Sequence, residues 1–159
     1  MMATNALIIG YGNSLRSDDG VGPAIVQALA SEPPLDCRIV VCHQLTPELA
    51  ESIAGVNLVV FVDAAADIQP GAVIAHQIRE TSKRPSGLMH TADPAALLSL
   101  ARKLYGRSPK AFLVTVGVSS FALSEGLSQA VSSALPEAIA TVRRLVSEGA
   151  VAGRTLDDE

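Results

Sequence analysis

The stretch from Asn5 to Gly22, NALIIGYGNSLRSDDGVG, constrains the fold more than any other part of the chain. Ala6, Leu7, Ile8 and Ile9 form an apolar run too short for a helix and branched enough for a buried strand. Gly10 and Gly12 follow at once and let the backbone leave that strand through conformations a side chain would forbid. Ser17, Asp18, Asp19 and Gly20 come next, and a periodic apolar segment then begins near Val21 or Pro23. Two carboxylates thus lie on the loop between a buried strand and its following helix. Ligands of open α/β sheets bind there, beyond the carboxyl ends of the strands.

Three readings of this loop compete. A phosphate-binding glycine loop wants a helix entry free of negative charge, because the anion supplies it; here Asp18 and Asp19 stand at that entry. A dinucleotide fingerprint requires a third glycine where the chain has Leu15. Simple helix capping by Ser17, Asp18 or Asp19 explains one such residue well and two adjacent acids less well. At least one acid is then free to face the crevice and meet a cation.

The remaining chain alternates strands and helices. Helical spacing of Val21, Ile25, Val26, Leu29 and Ala30 predicts a helix to about Ser31, and CRIVVC over residues 37–42 predicts a second strand. Thr46 as N-cap and Pro47 at the first helical position predict a short helix to about Ala54. NLVVFV at 57–62 reads as a continuously buried strand that stops at Asp63. Residues 72–79 read as an edge strand containing His76, whose side chain would point to one sheet face. Residues 80–88, with Pro85 and Gly87, read as a mobile loop. Thr91 or Asp93, with Pro94 behind it, caps a helix ending near Gly106. A strand at 111–118 and a helix at 129–148, with Pro136 as its start or a kink, complete the order; residues 149–159 read as a frayed tail.

This order implies α/β architecture: a single domain over 1–159, built as a three-layer sandwich with a twisted, mainly parallel sheet of about five strands and helices on both faces. Composition agrees, since 48% of residues are apolar and only 3% aromatic, which leaves Ala, Val, Leu and Ile to build the core. A net charge of -4 gives no basic footprint for nucleic acid, and no apolar run approaches the ~20 residues that span a bilayer. A cytoplasmic protein without nucleic-acid or membrane partners is expected. Cys37 and Cys42 fit neither a zinc pair nor a redox motif and are expected to be buried free thiols.

Four candidates for chemistry lie where strands end or helices begin: Asp18 or Asp19, His43, Asp63 and His90. In a doubly wound sheet such positions converge on one crevice. Two carboxylates and an imidazole suit a divalent transition metal such as nickel or zinc, which can polarise a carbonyl or activate water. There is no GxSxG elbow and no HExxH helix to support an ordinary hydrolase.

The segment GYGNSLRSDDGVG resembles the N-terminal signature of the [NiFe] hydrogenase maturation proteases, which trim the C-terminal extension of the hydrogenase large subunit. VVFVDAA resembles the family's second acidic motif, LMHTADPAALLSLA its histidine motif, and VTVGVSSFALSEGLS its last strand and following loop. The similarity spans nearly the whole chain in order and spacing. It implies that Asp19, Asp63 and His90 contact metal and serve catalysis, with Asp19 the shorter acid where some members carry Glu. It further implies that the nickel belongs to the large-subunit precursor, with no permanent cofactor in the enzyme, and that the enzyme acts as a monomer. His43, Gln44 and Leu45 replace an Asp-Gly-x-Thr-like segment of many members and are similar to the subgroup serving bidirectional, NAD-linked hydrogenases. They are expected to read the substrate near the cut. A nickel carrier or chaperone using the same ligands is the rival from another class, and a nucleotide-binding domain resting on Gly10 and Gly12 is a third.

Overall fold

The computed structural model describes residues 5–80, 93–121 and 125–157, with side chains as far as residue 149. Among the described residues, five strands and four α-helices follow one another as β1 (Ala6–Tyr11), α1 (Val21–Ser31), β2 (Cys37–Cys42), α2 (Leu49–Ala54), β3 (Leu58–Ala65), β4 (Val73–Ile78), α3 (Pro94–Tyr105), β5 (Lys110–Gly117) and α4 (Gln129–Asp157). A short 3-10 turn, Ser17–Gly20, precedes α1. The strands form one sheet in the order β2-β1-β3-β5-β4. β1, β2, β3 and β5 run parallel, and β4 pairs antiparallel with β5 at the edge.

Both faces of the sheet are covered, as the continuously apolar strands demand. Alternate residues of one strand serve opposite layers: Ile8, Val60, Val62 and Val114 pack under α1 and α4, whereas Leu7, Ile9, Val59 and Phe61 pack under α2 and α3. Each such aliphatic or aromatic side chain is withdrawn from water at a gain of roughly 1.5–3 kcal/mol. β1 and β3 therefore anchor the fold. β4, whose residues are mostly exposed, adds far less.

The topology fixes where a site can form. From β1 the chain crosses to β2 on one side, then returns past β1 to place β3 on the other. The direction of winding reverses between β1 and β3, and the crevice at their carboxyl ends is the topological switch point.

Several boundaries differ from the sequence expectation for identifiable reasons. β3 runs past Asp63 to Ala65, because β5 stays alongside it through Asp63↔Thr115 and Ala65↔Gly117 after the last β1 pairing at Val62. Thr46 does not cap α2. Its hydroxyl bonds the Glu48 carboxylate, the Leu49 and Ala50 amides donate to the Thr46 and Pro47 carbonyls, and the helix proper starts at Leu49. α4 continues past residue 148 to Asp157, with Pro136 inside it. Val131, Ala134, Ala138, Val142 and Leu145 hold its earlier turns to the sheet at helical spacing. The two cysteines are free but half-buried rather than fully buried. The expected 80–88 loop lies, beyond Glu80, outside the described residues.

Candidate functional site

β1 ends at Tyr11, and the next residues turn back over the strand end. Gly12 has φ +147, and a Cβ there would collide with the Asp19 carbonyl oxygen. The Asn13 amide then donates to Asp19 Oδ2 at 2.7 Å, and the Leu15 amide donates to Asn13 Oδ1 at 2.9 Å. Behind this loop α1 sits directly on the sheet. A Cβ at Gly22 would come within 2.5 Å of the Val62 carbonyl oxygen and 2.6 Å of that of Tyr11. The first turn of α1 is thereby wedged across the ends of β1 and β3, and it carries Asp19 with it.

The adjacent acids have separate tasks, and neither caps α1, whose N-cap is Gly20 without a side-chain bond. Asp18 is fully buried. Its Oδ2 accepts from the amides of Ser119 (2.8 Å) and Ser120 (3.0 Å) and from the Ser128 hydroxyl (2.8 Å), while Oδ1 accepts from the Ser128 amide at 2.6 Å. Burial by itself would raise the Asp18 pKa, but the donated hydrogen bonds outweigh it and hold the carboxyl below its ordinary value. Asp18 is a structural clamp between the 3-10 turn and the segment after β5.

Asp63 lies on β3 with the parity of Val59 and Phe61. Its Oδ1 accepts from the Ala64 amide at 2.7 Å, and the Tyr11 hydroxyl donates to the same carboxylate. Burial first, and then the nearby charge of Asp19, push the Asp63 pKa up to about 6, against the lowering effect of those two hydrogen bonds. Asp19 and Asp63 are therefore brought together at the switch point. The Tyr11 phenol is driven well above its ordinary value by burial, then by Asp63, with Asp93 adding a smaller like-signed effect. That effect of Asp93, which caps α3 by accepting from the Ala96 amide at 2.7 Å, puts the start of α3 beside Tyr11.

Tyr11 is a site residue that the sequence reading misses. The signal was available: it has the parity of Leu7 and Ile9, and it follows Gly10, the partner of Val62, so it stands beside Asp63. His90 lies outside the described residues. Among the described residues no group of three His, Cys, Asp or Glu side chains could hold a metal ion. Asp19 and Asp63 by themselves offer two hard oxygen donors, and a transition metal needs further ligands.

The segment after β2 divides. His43 is exposed and lines a cavity of ≈ 470 Å³ on the β2 side of the Gly12–Gly20 loop, and Gln44 is exposed. Leu45 is only 2% exposed and belongs to the core under α2 and α3, so its side chain anchors the segment and is not available to a substrate. His76 is exposed on the outer strand β4.

No protein-family model and no curated protein matches the sequence. Solved structures do match it. HybD from E. coli, a hydrogenase maturating endopeptidase, superposes with a TM-score of 0.75 at 25% identity over 91% of this chain and 93% of that one. Its structural neighbours are hydrogenase maturation endopeptidases. A hydrogenase 2 maturation peptidase from a Thaumarchaeota archaeon matches with a TM-score of 0.67 at 25% identity, over 90% of this chain and 98% of the other. The fold of HycI, a [NiFe] hydrogenase maturation protease from Thermococcus kodakarensis, is shared at a TM-score of 0.72 and 22% identity, over 91% and 94% of the two chains. Among the described residues no helix is long and apolar enough to cross a membrane.

Proposed function

We propose that the protein is an endopeptidase that removes the C-terminal extension of a nickel-loaded [NiFe] hydrogenase large-subunit precursor. The observation that carries this reading is the convergence of Asp19 and Asp63, from opposite sides of the β1–β3 switch point, in a chain whose fold is that of hydrogenase maturation endopeptidases. Asp19 and Asp63, with His90 from the segment leading into α3, grasp the nickel already installed in the precursor. The metal is substrate cargo, and the enzyme carries no cofactor of its own. Precursor lacking nickel has nothing for the carboxylates to hold, so cleavage follows metal insertion.

Asp19, Asp63 and His90 would hold the precursor's nickel, which would either dock the substrate or supply Lewis-acid polarisation of the scissile carbonyl. Water adds to the carbonyl carbon, its proton passes to Asp19, Asp63 or His90 as general base, and the amine of the extension departs protonated. Tyr11 orients Asp63. His43 and Gln44, exposed at the carboxyl end of β2, face the substrate, and the His43-Gln44-Leu45 sequence supports a bidirectional, NAD-linked hydrogenase as the partner. The protein acts as a monomer in the cytoplasm.

The test is to incubate the purified protein with nickel-loaded and nickel-free precursor and to follow loss of the tail by mass spectrometry. Cleavage of the loaded form alone is expected, and His90→Ala abolishes it. Tight nickel binding by the isolated protein without cleavage of either precursor would identify a carrier instead.

A further inference from the structure

The ≈ 470 Å³ cavity on the β2 side of the site has walls from four segments. Gly12 and Gly20, at the two ends of the loop that holds Asn13 and Asp19, form one wall; Ala24 and Gln27 of α1 form the second; Cys42 and His43, at the end of β2, form the third; Gly126 and Leu127, ahead of α4, form the fourth. Its size falls among the ~300–1,000 Å³ of ligand pockets, too large for an ion and adequate for a short run of peptide. Among the described residues no Asp, Glu, Lys or Arg side chain lines it. An anionic occupant would find no cation there among the described residues, and the loop it rests on carries Asp19. A nucleotide phosphate is disfavoured for the same reason. β2 is also an outer strand of the sheet and exposes 45% of Val41 at its end. An extended chain passing such an edge can bond its backbone there and place alternate side chains in a pocket.

We propose that this cavity receives the uncharged residues immediately beside the scissile bond of the precursor, in extended form, with Ala24 as its floor and Gln27 and His43 reading the peptide from either side. The proposal rests on the endopeptidase reading and adds a specificity subsite to it. Ala24 and Gln27 lie one turn apart on the same face of α1, so both present to the cavity from a rigid element. The shared loop couples the two places: a peptide seated against Gly12 and Gly20 meets the same backbone that holds Asp19.

The experiment measures tail removal from nickel-loaded precursor by the full-length protein and its Ala24→Phe and Gln27→Arg variants. Circular dichroism and the thermal midpoint check their folds. A second precursor carries Asp in place of the neutral residue at the cut. Ala24→Phe fills the cavity and is expected to raise KM by at least about ten-fold with kcat little changed, the mark of lost substrate binding. The Asp-bearing precursor is expected to be a poor substrate for the wild type, and Gln27→Arg is expected to restore its cleavage. A folded Ala24→Phe with wild-type KM overturns the subsite. If Ala24→Phe does not fold, Gln27→Arg decides, and an unaltered preference between the two precursors overturns it. Wild-type protein that cuts neither precursor overturns the endopeptidase reading, and the subsite with it; active wild type with unaffected variants overturns the subsite alone.

Discussion

Asp18, on the turn ahead of α1, and Asp63, at the end of β3, are opposite in electrostatics. The Asp18 region is a closed cage in which the amides of Ser119, Ser120 and Ser128 and the Ser128 hydroxyl supply the donors that the charge needs. The Asp63 region is a crevice where burial and a second carboxylate outweigh the bonds from Tyr11 and Ala64. Full satisfaction lowers one carboxyl; partial satisfaction raises the other. A saturated carboxylate can only support structure, and one that is crowded and short of donors is stabilised by an incoming cation. The contrast separates scaffold from chemistry within one short loop and the strand end it faces.

The largest effect should come from emptying the cage. Asp18→Ala leaves the Ser119, Ser120 and Ser128 amides, which make part-buried hydrogen bonds, without their acceptor, each at about 1–3 kcal/mol. A total loss of about 4 kcal/mol is expected, which for a domain of this size lowers Tm by roughly 10 °C in a thermal melt. Asp19→Asn should do the reverse: processing of nickel-loaded precursor falls by at least about 100-fold, while Tm moves by no more than about 2 °C. If the two variants exchange these phenotypes, the division between cage and crevice is wrong.

A smaller effect concerns pH and has opposite signs in the two regions. Because folded Asp63 titrates near 6 and the unfolded side chain near 3.8, the folded state binds more protons between those values, and stability falls as pH rises through that window. At about 1.4 kcal/mol per unit the loss is at most about 3 kcal/mol, reduced by whatever solvent reaches the half-buried group. Asp63→Asn should flatten this slope in denaturant titrations from pH 4 to 7. Asp18, whose folded value is depressed, stabilises above its unfolded value and loses that contribution as pH falls through the folded one. Smallest of all, Tyr11→Phe removes one bond worth about 1 kcal/mol. It should move the Asp63 midpoint further upward, as followed by carboxyl-carbon NMR, since the Tyr11 bond is one of the influences holding it down.

Those same residues show what a sequence can reveal. The bounds of α1 and β2 coincide with expectation because helical periodicity and a continuous apolar run carry their own limits. The placement of Asp63 at the crevice also follows from order alone, as strands of an open sheet expose their carboxyl ends together. The division of labour between Asp18 and Asp19 was not legible. Its cause is donors on Ser119, Ser120 and Ser128, more than a hundred positions away along the chain and brought near only by the packed sheet. Leu45 went astray for a related reason: a loop motif read as one unit is split by the core, which takes its apolar member and leaves His43 and Gln44 outside. Thr46 could have capped α2 by type, but the Glu48 carboxylate competes successfully for its hydroxyl.

The contact of Gly22 with the carbonyl oxygens of Val62 and Tyr11 leaves no slack between the first helix and the central strands. The seating of that helix, and of the short turn carrying Asp19 that leads into it, is consequently set by a missing methyl group. Any side chain at that one position would push the helix off the ends of β1 and β3 and carry Asp19 away from Asp63.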